Sequence, residues 1–137
     1  MTLENNWRFK SLGSLEKKNF GQIPKDESSI VQRLLKLRQT PINDFGIDDI
    51  RFMIIQGVGL KYLLTEAIEL LDKNILTEGN YYEGDLLNAV LKMNADQWTD
   101  LEVYWHRVDL LIKDKMDYLR TIRPKLEIDN FYSCKPK

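Results

Sequence analysis

The residues best suited to chemistry or contact crowd into one short stretch, Glu78-Gly79-Asn80-Tyr81-Tyr82-Glu83-Gly84-Asp85. It joins three carboxylates to two adjacent tyrosines. Carboxylates so close could hold a hard cation, but they lack the regular oxygen-ligand spacing of a calcium loop. Tyrosine offers large contact area at low entropic cost and carboxylates steer a charged partner, so the composition suits protein contact better. Elsewhere the means for catalysis are thin. His106, the sole histidine, has no second histidine or cysteine at metal-ligand spacing. Cys134 lies in a basic tail beside Lys135, yet as a nucleophile it would need a base that could come only from the distant His106. No glycine loop of the phosphate-cradling kind is present. The expectation is a protein that is not an enzyme, with no cofactor and no bound metal.

The elements that must position this stretch are helices. Leu60, Leu63, Leu64, Ala67, Ile68 and Leu71 form an apolar stripe, while Lys61, Thr65, Glu66, Glu69 and Asp72 occupy the other face. Lys73 suits the last turn and Asn74 a left-handed C-cap. A shorter helix precedes it, capped by Asp48 or Asp49 and burying Ile50, Met53 and Ile54. The two are joined at Gly57-Val58-Gly59. After the acidic loop, Asp85 is expected to cap a third helix with Leu86, Leu87, Val90 and Leu91 inward. This helix, glycine turn, helix order imitates a DNA-binding helix-turn-helix. The would-be recognition helix exposes Glu66, Glu69 and Asp72, which phosphates would repel, so no nucleic acid is expected.

Three ordered segments resemble the contact-dependent growth inhibition (CDI) immunity proteins of bacteria. They are Leu37-Arg38-Gln39-Thr40-Pro41, then Gln56-Gly57-Val58-Gly59-Leu60, then Glu78 through Leu87. The similarity runs from about Ser11 to Leu91, with Glu83 standing where a proline is expected. It implies a structural motif of Arg38, Pro41, Gln56, Gly57, Gly59, Gly79, Tyr82 and Gly84. It also implies a partner, the cognate C-terminal toxin domain of a CDI effector, bound one-to-one in the cytoplasm over or near its active site. A nuclease is one activity such a toxin could have. Candidate contacts are Asp48, Asp49, Glu78, Tyr81, Glu83 and Asp85. Because the family shares the tyrosine loop, Tyr82 and the glycines are assigned to the scaffold. From the residues alone, a regulatory or adaptor domain binding another protein or nucleic acid stays open.

Charge is unevenly spread. Residues 1–41 carry eight basic and four acidic side chains, residues 42–102 four and twelve, and residues 103–137 eight and five. The middle segment therefore has a net charge of −8. Acidic residues filling solvated helix faces would give this pattern, and so would a negative surface for a positive partner. Before it, Trp7 and Phe9 read as apolar pegs of an irregular arm over residues 1–27, with a helical turn at Ser14 to Lys18 and a loop over residues 19–24. Ser28 or Ser29 caps a helix with Ile30, Val31, Leu34 and Leu35 inward and Arg33, Lys36 and Arg38 outward, and Pro41 ends it. Arg38 is open to two readings, a buried ion-pair partner or a solvated side chain.

Asn94 and Gln97 have capping-box spacing for a helix of about 28 residues. Its stripe runs through Trp98, Leu101, Trp105, Val108, Ile112, Met116 and Leu119, with a break expected near Thr99–Val103 and an end at Pro124. The tail over residues 124–137 has faint strand character at Leu126–Ile128. The fold class is all-α, a single compact domain of about five to seven helices whose main body spans residues 28–123. No apolar run is long enough for a membrane helix, no secretion signal precedes residue 18, and one cysteine suits a reducing compartment.

Overall fold

The computed structural model describes residues 3–18 and 25–137. The loop expected over residues 19–24 lies outside them. The described residues are helical, with no strand element among them. The helices are α1 Leu12–Leu15, α2 Ser29–Arg38, α3 Ile47–Gln56, α4 Leu60–Lys73, α5 Asp85–Leu91, α6 Ala95–Trp98, α7 Glu102–Ile112, α8 Met116–Leu119 and α9 Ile128–Ser133. Several are single turns, which is why they outnumber the five to seven expected. Two compact units divide the chain, Met1–Asp49 and Ile50–Lys137, and the boundary falls inside α3.

In the first unit, the Ser28 hydroxyl accepts from the Val31 N–H at 3.2 Å and starts α2. The helix stops at Arg38, ahead of Pro41, whose extended ψ of 136° leads into a 3-10 turn over Ile42–Asp44. Pro41 bridges Ser11, and the Ile42 N–H donates to the Lys10 carbonyl at 3.1 Å. The buried apolar side chains among the described residues here are Trp7, Leu12, Leu37 and Ile42. Three expectations are corrected. Phe9 is 70% exposed and Ile30 56% exposed, so neither is a core peg. Leu37, not Ile30, is the buried residue of α2. The short helix expected at Ser14 starts earlier, at Leu12, with Ser11 as its cap. Arg38 resolves toward burial: its side chain is 20% exposed and Nη1 lies 3.9 Å from Glu16.

The second unit packs α4 against α5 and α7, and α5 against α9. Leu63, Leu64, Ala67 and Leu71 of α4 are fully buried, as their spacing requires. The α3–α4 turn closes with a Schellman pattern: the Gly57 N–H donates to the Ile54 carbonyl and the Val58 N–H to that of Met53. Gly57 sits at φ +73°, and a Cβ there would fall 2.6 Å from the Gln97 amide nitrogen. Gln97 is itself fixed, because it forms the expected reciprocal capping box with Asn94. At the other end of α4, Asn74 is extended (φ −153°), not left-handed. Its side chain accepts from the Leu76 N–H instead, making an Asx turn into the loop.

The long C-terminal helix is interrupted twice. It breaks at Leu101, within the expected interval, and again at a 3-10 turn over Lys113–Lys115. The tail is the larger correction. Residues expected to be strand-like lead into helix α9, and Phe131 is completely buried. Its ring stacks on Trp105 with centroids 4.5 Å apart and meets Trp98 edge-on at 5.7 Å. The Trp105 indole N–H donates to the Phe131 carbonyl at 3.1 Å, and the Tyr132 hydroxyl to Asp109 at 2.6 Å. The tail is thus part of the core.

Candidate functional site

The acidic loop ahead of α5 is built around one buried carboxylate. Asp85, 3% exposed, accepts the Gly79 N–H on Oδ1 at 2.6 Å and those of Tyr81 and Tyr82 on Oδ2 at 3.0 and 3.4 Å. Gathering three amides onto one anion requires a tight reversal. Gly84 supplies it at φ +91°, a conformation that strains any L side chain although a Cβ there would meet Leu76 and Leu126 only at ordinary contact distance. Gly84 is therefore the N-cap of α5 and Asp85 its first helical residue, which corrects the expectation that Asp85 caps the helix. Behind the loop, the Asn88 amide donates to the Tyr82 hydroxyl at 2.8 Å and its carbonyl oxygen accepts the Glu127 N–H at 2.8 Å. Tyr82 is half-buried and its hydroxyl is tied to α5 by this bond.

What the loop turns outward is different. Tyr81 is 68% exposed, and Glu78 and Glu83 are exposed as well. The Tyr81 ring covers the Arg51 guanidinium at 4.5 Å, a cation–π contact of about 1 kcal/mol or somewhat more. Arg51 reaches this place from α3, its Nε 4.0 Å from Asp85. Between α3, the loop and α5 lies a groove of about 200 Å³ with Arg51, Ile55, Tyr81, Ala89 and Lys92 among its walls.

The other two candidate carboxylates belong to the first unit. Arg33 Nη2 meets Asp49 Oδ1 at 3.0 Å and Asp48 Oδ2 at 3.2 Å. Asp49 also accepts the Gly46 N–H at 2.9 Å, reaching back across the first turn of α3. Neither aspartate is the N-cap; both lie within the helix. Burial works against the Arg33 charge, but the hydrogen bonds of Asp49 and Asp48 outweigh it and raise its pKa. Asp48 is 9% exposed. Of the six candidate contacts, Asp48 and Asp85 are therefore buried, Asp49 is partly covered, and Glu78, Tyr81 and Glu83 face solvent. Gln56 is exposed, while the turn beside it is made by its glycines.

Sequence reasoning missed Arg33, Arg51 and Asn88. Arg33 had been placed outward by periodicity, and its partners Asp48 and Asp49 lie 15 and 16 residues away on another helix, so no local spacing marked the ion pair. Arg51 and Asn88 sit on helices where nothing local marks them. His106 lies on the exposed side of α7, 3.6 Å from Glu102 one turn away. Among the described residues no group of three or more His, Cys, Asp and Glu could hold a metal ion. No helix among them is long and apolar enough to cross a membrane.

A comparison with curated proteins finds no match. A family model of CDI immunity proteins matches residues 14–108, well over half of the chain. The match contains all three segments on which the resemblance rested, and it extends past Leu91 into α7. The glycine turn, the Asp85-centred loop and the Pro41 turn are the structural form of those segments, and the chain belongs to the family of CDI immunity proteins.

Proposed function

We propose that this protein neutralises the toxin domain of a CDI effector by docking on it one-to-one, over or beside its active site, in the cytosol of the cell that makes it. Family membership supports the class of partner. The observation that carries the mode of binding is the division of labour in the Glu78–Asp85 loop. Asp85 fixes the backbone from inside, while Tyr81, Glu78 and Glu83 are presented outward. A contact loop ordered before binding loses little entropy on association. Its two exposed glutamates, within a segment of net charge −8, favour a toxin with a basic surface. A nuclease suits best, since its cleft must attract phosphates.

Rapid-mixing kinetics of the Glu78→Lys/Glu83→Lys protein with the cognate toxin domain tests this. Association should slow several-fold in low salt and converge on the wild-type rate as ionic strength rises. Equal rates and equal salt slopes for the two proteins would rule out docking through this loop. Growth rescue in cells producing the toxin should weaken in parallel.

A further inference from the structure

The groove beside Tyr81 does not end there. A second hollow of about 270 Å³ adjoins it, walled by Ile54, Met93 and Gln97 and sharing Ile55, Ala89 and Lys92 with the first. The shared residues make one furrow. Arg51 and Ile55 stand one turn apart along α3, and Asp85, Ala89 and Lys92 step along α5 and its C-cap in the same way, so these two helix faces form much of its lining. Ala89 is buried and too small to fill the floor. Ile55 breaks the pattern of its helix. Ile50, Phe52, Met53 and Ile54 are each at most 8% exposed, whereas Ile55 is 50% exposed at the junction of the two hollows. Tyr81 closes one end.

The charge of the furrow is as informative as its shape. The carboxylate at its base is occupied, because Asp85 already accepts three amide N–H groups and lies 4.0 Å from Arg51. Lys92, the exposed C-cap of α5, stands on the rim. The lining thus combines aliphatic surface, the two tyrosines Tyr81 and Tyr82, and two cations, of which Arg51 lies against the buried Asp85 and Lys92 stands at the rim. The two hollows, about 200 and 270 Å³, are each on the scale of a single side chain. Exposed apolar surface of this kind marks a place where another surface seats an anchor.

We propose that the α3–α5 furrow is the specificity pocket for the toxin: it seats an aliphatic or aromatic anchor of the toxin domain around Ile55 and Ala89 and pairs an adjacent toxin carboxylate with Lys92. This rests on the toxin-binding reading above and adds a second polarity to it. The outward face of the loop is acidic and the furrow next to it is cationic, so a matching toxin must carry the reverse pattern side by side. Two opposed charges in fixed register reject partners that satisfy only one of them.

The test is calorimetric titration of the cognate toxin domain into four full-length proteins: wild type, Ile55→Asp, Lys92→Glu and, as a distant control, Lys113→Glu. All three substituted side chains are exposed or half-exposed, so folding should survive, and thermal denaturation checks that it does. Ile55→Asp and Lys92→Glu should each weaken binding by about tenfold or more, and Lys113→Glu by less than about twofold. The loss from Lys92→Glu should shrink in high salt, whereas that from Ile55→Asp should persist. Wild-type binding with both furrow variants within about twofold of it would overturn the furrow proposal and leave the toxin reading standing. Wild-type protein that does not bind the toxin overturns both. Sedimentation of the free proteins covers the remaining occupant. Self-association lost in Ile55→Asp, with toxin affinity intact, would assign the furrow to a second copy of this chain.

Discussion

The start of α3 and the loop ahead of α5 are both acidic, both lie at a helix N-terminus, and both looked like surface for a partner. They use their carboxylates in different ways. At α3, Asp48 and Asp49 are answered by one guanidinium, that of Arg33, whose side chain remains 35% exposed. At α5, Asp85 is answered by backbone, with three amides of its own loop wrapped around it and only 2% of its side chain exposed. The first arrangement joins two helices through flexible side chains near solvent. The second makes one carboxylate the template for an entire loop. A carboxylate that shapes the backbone is unavailable to a partner, but it fixes the conformation from which its neighbours project.

Substitutions should separate the two regions in order of size. Asp85→Ala leaves three amides without their anion, and the loss should be about 3 kcal/mol of unfolding free energy, read as a lower denaturant midpoint. A loss under about 1 kcal/mol would mean that the loop does not depend on Asp85. Gly84→Ala should come next, at about 1–2 kcal/mol, because an L side chain at φ +91° is strained and meets Leu76 at 3.4 Å. Smaller again is Arg33→Ala. Its ion pairs are partly screened, so chemical denaturation should show about 1 kcal/mol or less, shrinking further in high salt. If Arg33→Ala costs as much as Asp85→Ala, the contrast between the regions fails. The smallest effect on stability belongs to Glu78→Lys/Glu83→Lys, within about 0.5 kcal/mol by the same measurement, since neither side chain is enclosed.

Much of this arrangement was legible beforehand. Leu63, Leu64, Ala67 and Leu71 announced α4 because burial on one face of a helix imposes a period of 3.6. Asn94 and Gln97 announced their capping box because that bond is local in sequence. The failures occurred where the deciding partner was remote or was backbone. Asp85 has the composition of an N-cap, and the distinction between cap and loop template lies in the conformation of Gly84. Phe131 was missed because its partners, Trp98 and Trp105, lie 33 and 26 residues away, and a six-residue helix gives too few positions for a periodic signal. Ile30 had the spacing of a core residue and is exposed, whereas Arg33 had that of a surface residue and is held by two aspartates. The loop residues Glu78, Tyr81 and Glu83 were chosen as candidate contacts by composition alone, and the structure leaves them exposed. Lys92 and Ile55 of the adjoining furrow were not, since only the approach of α3 to α5 brings them together.

The most direct test of the account is isothermal titration of this protein with its cognate CDI toxin domain, in low and moderate salt. One-to-one binding with nanomolar affinity that weakens as salt rises is the predicted result. A correctly folded toxin domain that gives no binding in either buffer would contradict it.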